Sequence, residues 1–192
     1  MSTPILRTTR LTLSAPTAAD APAITDACQD PEIPRWTPLP SPYTLQHAVE
    51  FVDEAASRSS ADSGYEWAIR TAPQHAAVSL VGMISLTRRG AGAAEIGFWM
   101  RGDQRGNGYL TEAAHAVIDH AFEPSGLGLD RLEWNAAVGN VASARAARAL
   151  GFRFEGVRRG AFVTTGGGRT DGWSAGRLFT DSPTPAVWDV LG

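Results

Sequence analysis

The segment of this chain with the most chemical potential is Arg101-Gly102-Asp103-Gln104-Arg105-Gly106-Asn107-Gly108-Tyr109, a polar glycine-rich turn between two apolar-patterned stretches. The backbone N–H groups at a helix start have no intrahelical acceptor and carry partial positive charge, and glycines there let an anion come close to the main chain. The turn thus has the makings of a pyrophosphate cradle, and Arg105 could add a charge-assisted contact. The same glycines would also serve as plain turn formers. Two familiar phosphate motifs do not fit. A dinucleotide fingerprint needs a third glycine where Thr111 stands, and no Lys-Ser/Thr pair follows as a nucleotide-hydrolysing phosphate loop requires.

The rest of the composition narrows the function classes. With 192 residues, 43% of them apolar and 19% charged, the chain reads as an ordinary globular protein of one domain spanning 1–192. A formal charge of -3 gives no general attraction to nucleic acid or to an anionic membrane, so any anion site must be local. The cysteine count is 1, and Cys28 reads as a small buried apolar residue. His47, His75, His115 and His120 show no ligand spacing, so no metal is expected. The start of the chain lacks the apolar run of a signal peptide, no stretch approaches a membrane span, and a lone cysteine fits a reducing compartment, so a cytoplasmic location is expected.

The elements around the turn follow from periodicity. Ile5 to Leu13 reads as one strand, then a helix runs from about Thr17 to Gln29. Residues 30–42 hold 5 prolines and are expected to form a loop without helix. Thr44 caps a second helix through Leu45, Ala48, Val49, Val52, Ala55 and Ala56. Tyr65–Arg70, Val78–Leu86 and Ala94–Met100 read as a three-strand antiparallel meander with turns at Pro73 and Gly90/Gly92. Ala113, Ala114, Val117, Ile118, Ala121 and Phe122 mark one stripe of the helix after the glycine turn. Leu132, Trp134, Ala136 and Val138 alternate as a strand, Asn140 caps a helix ending at Leu150-Gly151, and two final strands flank Gly166-Gly167-Gly168. The whole is α+β, a mixed twisted sheet of about seven strands with about four helices.

Ala94-Glu95-Ile96-Gly97-Phe98-Trp99-Met100, followed by Gln104-Arg105-Gly106-Asn107-Gly108-Tyr109-Leu110-Thr111-Glu112-Ala113, resembles the acetyl-CoA motif of the GNAT superfamily. The likeness is strongest to its RimJ/RimL-like branch, the ribosomal-protein-alanine N-acetyltransferases. A second block, Asn140-Val141-Ala142-Ser143-Ala144-Arg145, then Leu150-Gly151-Phe152 and Glu155-Gly156, resembles that branch's next motif. Trp36-Thr37-Pro38 and Leu6-Arg7-Thr8-Thr9-Arg10-Leu11 are also similar to the branch, so the match covers nearly the whole chain. Asp103 stands where many superfamily members carry Gln or Arg.

The resemblance implies transfer of acetyl from acetyl-CoA to an amine, either a protein N-terminal α-amine or a small molecule, by direct attack in a ternary complex. The alternative is an acetyl-CoA-binding sensor or complex subunit without catalysis. Branch members often pair, which leaves room for a homodimer. By this resemblance Phe98, Trp99, Met100, Gln104 to Tyr109, Asn140 and Ser143 bind the cofactor. An α-amine titrates near ~8 and a lysine near ~10.4, so a proton must be removed at neutral pH. Glu95 is the candidate base, facing the acceptor, against the plain reading of an exposed strand carboxylate. Backbone N–H groups from Phe98 to Met100 would hold the oxyanion. The tyrosines are Tyr43, Tyr65 and Tyr109, none of them where the superfamily's thiolate-protonating tyrosine stands, so Ser143 is the candidate acid, against a first-turn helix serine. Trp36, in a proline-rich segment, is the candidate wall of the acceptor site.

Overall fold

The computed structural model describes residues 2–71, 79–163 and 167–191. Its first departure from expectation is at the start of the chain. The expected single strand is a hairpin of β1 (Leu6–Arg7) and β2 (Leu11–Ser14), with Leu6 opposite Leu13. Thr8 accounts for the reversal: its N–H donates to the Leu11 carbonyl at 3.0 Å and its hydroxyl accepts from the Leu11 N–H at 3.0 Å. Because the turn residues are themselves strand formers, alternation alone does not reveal it.

The expected first helix is shorter, a 3-10 turn at Ala18–Asp20 leading into α1 (Ala21–Ala27). The proline-rich stretch is not free of helix, as it forms α2 (Glu32–Trp36). Pro31 is its N-cap and Pro34 falls in its first turn, where a missing N–H removes no intrahelical bond. α3 (Leu45–Ser60) starts at Thr44 as read, and buries Ala48, Val52, Ala55 and Ser59, while Leu45 stays exposed.

The remaining elements are β3 (Gly64–Thr71), β4 (Leu80–Arg88), β5 (Ala93–Met100), α4 (Tyr109–Phe122), β6 (Arg131–Ala137), α5 (Val141–Ala149), β7 (Arg153–Val163) and β8 (Arg169–Leu178). The expected Pro73 turn, Val78 and Gly166 lie outside the described residues. The fold is α+β, with strands in the order β1-β2-β3-β4-β5-β6-β8-β7. Among the described residues there are thus eight strands and five helices, slightly more than expected. β1 to β4 pair antiparallel in sequence order. β5 and β6 pair in parallel, as a strand-helix-strand crossover through α4 requires. β8 lies between β6 and β7 and is antiparallel to both.

The chain packs as two compact units, one comprising residues up to Arg88 together with Gly97–Val117, the other Arg89–Ile96 with the residues from Ile118 onward. In the first unit β3 is buried at every residue but Arg70, the mark of a strand covered on both faces. Ala68 and Met83 belong to an apolar cluster with Ile24, Cys28, Ile33, Tyr43, Ala48 and Val52, so α1, α2 and α3 share one core. Burial alone raises the Cys28 thiol to about 11, consistent with the small-apolar reading. In the second unit Leu132, Trp134 and Ala136 alternate into the core from β6, and α5 buries Ala144 and Ala147. α5 ends at Leu150-Gly151 as read: Gly151 has φ +82, and a Cβ there would sit 3.0 Å from the Pro183 backbone.

One buried charge pair in the first unit gives a pH signature. Glu66 on β3 is 7% exposed and pairs with Arg58 of α3 at 2.8 Å. Desolvation raises its carboxyl to about 7, assisted by Glu54 and opposed by Arg58. Since the folded value lies above the unfolded one, Glu66 stabilises most at low pH, and that contribution is lost as pH rises through about 7. Wild-type protein should lose about 1 kcal/mol between pH 6 and pH 8 from this group. Thermal unfolding of Glu66→Gln should lack that slope; a parallel pH dependence in both proteins would assign it elsewhere.

Candidate active site

The glycine turn belongs to the first unit and is built as a local scaffold. Arg101 leaves β5 with its N–H bonded to the Val81 carbonyl at 3.0 Å, which fixes the direction of the exit. Its guanidinium lies between Asp26 at 3.0 Å and Asp103 at 3.2 Å. A 3-10 turn over Gly102–Gln104 follows, and the Asn107 amide donates to the Gln104 carbonyl at 3.2 Å. Gly106 and Gly108 have φ of +80 and +76, a left-handed region that side-chain-bearing residues enter at a cost. A Cβ at Gly106 would meet nothing within 4 Å, so the main chain there is open to an incoming group. Tyr109 then begins α4, whose Glu112 N–H takes the Gly108 carbonyl at 3.1 Å. Among the described residues, no backbone carbonyl outside the helix accepts from the N–H groups of Gly106 to Thr111. That donor set, with the helix dipole behind it, suits a diphosphate.

Arg105 sits at the turn as expected, with one guanidinium nitrogen engaged. Nη2 lies 2.7 Å from an Asp30 carboxylate oxygen and donates to the Met100 carbonyl at 3.2 Å. The residue that sequence reasoning missed is Arg10, in the β1–β2 turn. Its Nε donates to Glu112 at 2.6 Å, its backbone N–H to the other Glu112 oxygen at 2.9 Å, and its Nη1 to the Asn107 carbonyl at 3.0 Å. Its guanidinium covers the Tyr109 ring at 4.8 Å from the centroid. The Thr8 hydroxyl also donates to Glu112, at 2.5 Å. Burial pushes the Glu112 carboxyl up, but the bonds from Thr8 and Arg10 outweigh it and hold the group below its ordinary range. No sequence periodicity links positions 8 to 10 with 112.

On β5, Met100 is buried, whereas Phe98 and Trp99 are half-buried and Trp99 packs against the α1–α3 core. The Ser85 hydroxyl donates to the Gly97 carbonyl at 3.4 Å. Trp36 ends α2 and is held in place, its indole N–H donating to Glu32 at 3.3 Å and Arg35 stacked over it at 4.8 Å. It is thus displayed on a helical turn rather than a loop.

The second unit carries Glu95, Asn140 and Ser143. Glu95 accepts from Arg89 Nε at 2.9 Å and Nη2 at 2.7 Å. In the parallel register it stands opposite Glu133, a carboxylate given no role by sequence reasoning, which takes Arg131 Nε at 3.2 Å. The β5–β6 register ends at this pair although β6 continues to Ala137. Asn140 caps α5, its side-chain Oδ1 accepting from the Ser143 N–H at 3.2 Å. The Ser143 oxygen accepts from the Trp134 indole N–H at 3.0 Å, which leaves the hydroxyl proton available for donation. Trp134 in turn packs on Trp188 with ring centroids 5.6 Å apart.

A family model described as an acetyltransferase (GNAT) domain matches residues 10–153. The uncharacterized N-acetyltransferase YoaA of Bacillus subtilis is 30% identical over 156 residues, covering 81% of this chain and 86% of YoaA. Among solved structures, the microcin C7 self immunity acetyltransferase MccE, in complex with acetyl-CoA and AMP, superposes with a TM-score of 0.79 at 20% identity over 89% of this chain and 93% of that one. RimL, the ribosomal L7/L12 alpha-N-protein acetyltransferase in complex with coenzyme A, gives 0.79 at 20% identity over 91% and 98%. These two structural likenesses show the fold.

Proposed function

The chain belongs to the acetyltransferase (GNAT) domain family and is an acetyl-CoA-dependent acyltransferase, for which we propose an amine acceptor: a protein N-terminal α-amine or a small-molecule amine. The observation that carries the reading is the pair of left-handed glycines, Gly106 and Gly108, opening the main chain at the start of a 14-residue helix. In this reading Gln104 to Tyr109 hold the diphosphate of acetyl-CoA through backbone N–H groups. Asn140 contacts the pantetheine arm with the amide protons that its capping bond leaves over. Phe98 to Met100 supply main-chain donors where negative charge develops on the acyl oxygen. The two compact units form one acetyltransferase domain, supported by a family match that runs through segments of both.

Glu95 removes the amine proton, directly or through water, and its two bonds to Arg89 orient it. Ser143 passes a proton to the departing thiolate and takes one from solvent in the same step, and the Trp134 N–H fixes the hydroxyl so that its proton points away. Trp36 walls the acceptor. The fold likeness to a ribosomal-protein acetyltransferase supports a peptide N-terminus as acceptor.

Screening amines and N-terminal peptides for acetyl-CoA-dependent thiol release tests the reading. Release with peptides alone would fix the acceptor class, and binding of acetyl-CoA without release on any acceptor would favour a sensor. Once an acceptor is known, Glu95→Gln should lower kcat/KM at pH 7 by about 100-fold and regain much of it above about pH 9, as the amine loses its proton unaided. An unaltered pH profile would remove Glu95 from proton transfer.

A further inference from the structure

We propose that Arg10, from the N-terminal hairpin, is a cation of the acetyl-CoA site, holding the glycine turn in shape with one nitrogen and presenting another to the diphosphate; this rests on the turn being the acetyl-CoA cradle. The charges around the turn lead to Arg10 by the way they are used. Arg101 is clasped by Asp26 and Asp103, and the nearest nitrogen of Arg105 is shared between Asp30 and the Met100 carbonyl. Each of those cations is paired with a carboxylate, as Arg10 is with Glu112. Arg105 keeps Nε and Nη1 without a hydrogen bond among the described residues, with Nη1 3.8 Å from where a side chain on Gly102 would begin, whereas Arg10 stands beside Gly108 at the helix start. Glu112 takes its Nε and backbone N–H, the Asn107 carbonyl takes Nη1, and Nη2 has no hydrogen bond among the described residues.

That open nitrogen faces the cradle. It is the heavy atom nearest to where a side chain on Gly108 would begin, at 3.5 Å. The guanidinium is kept there by a four-point frame: Glu112 on its Nε edge, Asn107 on Nη1, the Tyr109 ring beneath, and Thr8 bracing Glu112 from the other side. A side chain so constrained loses little further freedom when an anion arrives, which strengthens the contact it makes. Arginine suits the task because its planar fork can serve a carboxylate, a carbonyl and a phosphate at once, which an ammonium cannot.

The test compares two acyl donors, acetyl-CoA and S-acetylpantetheine, which lacks the diphosphate, with coenzyme A calorimetry at low and high salt alongside. Arg10→Gln should raise the KM for acetyl-CoA and the Kd for coenzyme A by about 10- to 100-fold, with kcat little changed and S-acetylpantetheine used nearly as well as by wild type. The difference in coenzyme A affinity between wild type and variant should narrow as salt rises. Arg10→Lys should fold and recover part of the preference for acetyl-CoA. Equal losses on both donors, or a salt-independent loss, would reduce Arg10 to a structural brace and overturn the proposal, as would unchanged kinetics. If Arg10→Gln does not fold, the lysine variant decides by the same donor ratio: a wild-type ratio overturns the proposal. If Gly108→Val also leaves coenzyme A binding intact, the cradle reading itself fails; if Gly108→Val destroys binding and Arg10→Gln does not weaken it, only Arg10 is wrongly assigned.

Discussion

Gly108→Val should raise the Kd of acetyl-CoA by more than about 100-fold while leaving the fold intact. Two effects combine. At φ +76 a β-branched residue is strained, so the turn relaxes toward a negative φ and swings its N–H groups out of line. The new methyls also intrude toward Arg10, whose Nη2 is 3.5 Å from the position of the added Cβ. Each bond from a main-chain donor to a phosphate oxygen contributes about 1.5–3 kcal/mol, so misaligning two of them already exceeds a hundredfold. Gly106→Ala makes the graded control: its φ of +80 carries the strain, but nothing lies within 4 Å of the added carbon, so a loss of about tenfold is expected. Isothermal calorimetry with acetyl-CoA measures both. Wild-type affinity in the valine variant would show that the diphosphate is held elsewhere.

Trp188→Ala should destabilise the protein by about 3–5 kcal/mol, or about 6–20 °C in Tm. Trp188 is 1% exposed, packs on Trp134 at 5.6 Å and on Phe154 at 5.5 Å, and donates from its indole N–H to the Phe152 carbonyl at 3.0 Å. Its removal leaves a ring-sized cavity and takes the indole donor from the Phe152 carbonyl, each of which costs stability. Trp134 holds the Ser143 oxygen, so on the role proposed for that hydroxyl the variant should lose turnover as well. Trp188→Phe should recover most of the stability, and kcat should follow Tm across the pair. A Tm change under about 2 °C for the alanine variant would mean that the indole is replaceable by rearrangement of its neighbours.

Trp188 also marks a limit of reading this sequence. It follows Asp181 to Val187, a stretch with no periodicity, and lies beyond the family match, so nothing local announces that it closes a core. Where burial is periodic, sequence reading was effective: Leu132, Trp134 and Ala136 alternate inward, Asn140 caps α5, and Leu150-Gly151 ends it. It failed where local chemistry imitates something else. Thr8, Thr9 and Arg10 are as acceptable in a strand as in a turn, and Pro34 is excluded from a helix interior but not from its first turn. At the glycine turn, spacing indicated an anion site but not how its charges are used. Arg105 was legible because it is adjacent; Arg10 was not, because only folding brings it to Asn107.

The bonds from Thr8 and Arg10 to Glu112 span 104 and 102 positions of sequence. A contact over such a distance closes a long loop, whose entropic cost is met only when the strands between have formed. During synthesis, Arg10 must therefore wait through more than half the chain before the glycine turn and Glu112 exist. Affinity for coenzyme A should accordingly appear late in refolding, after the intervening β3–β4 pairing. On the role proposed for Arg10, shortening the chain at its start should cost affinity for the cofactor although the glycine turn is untouched.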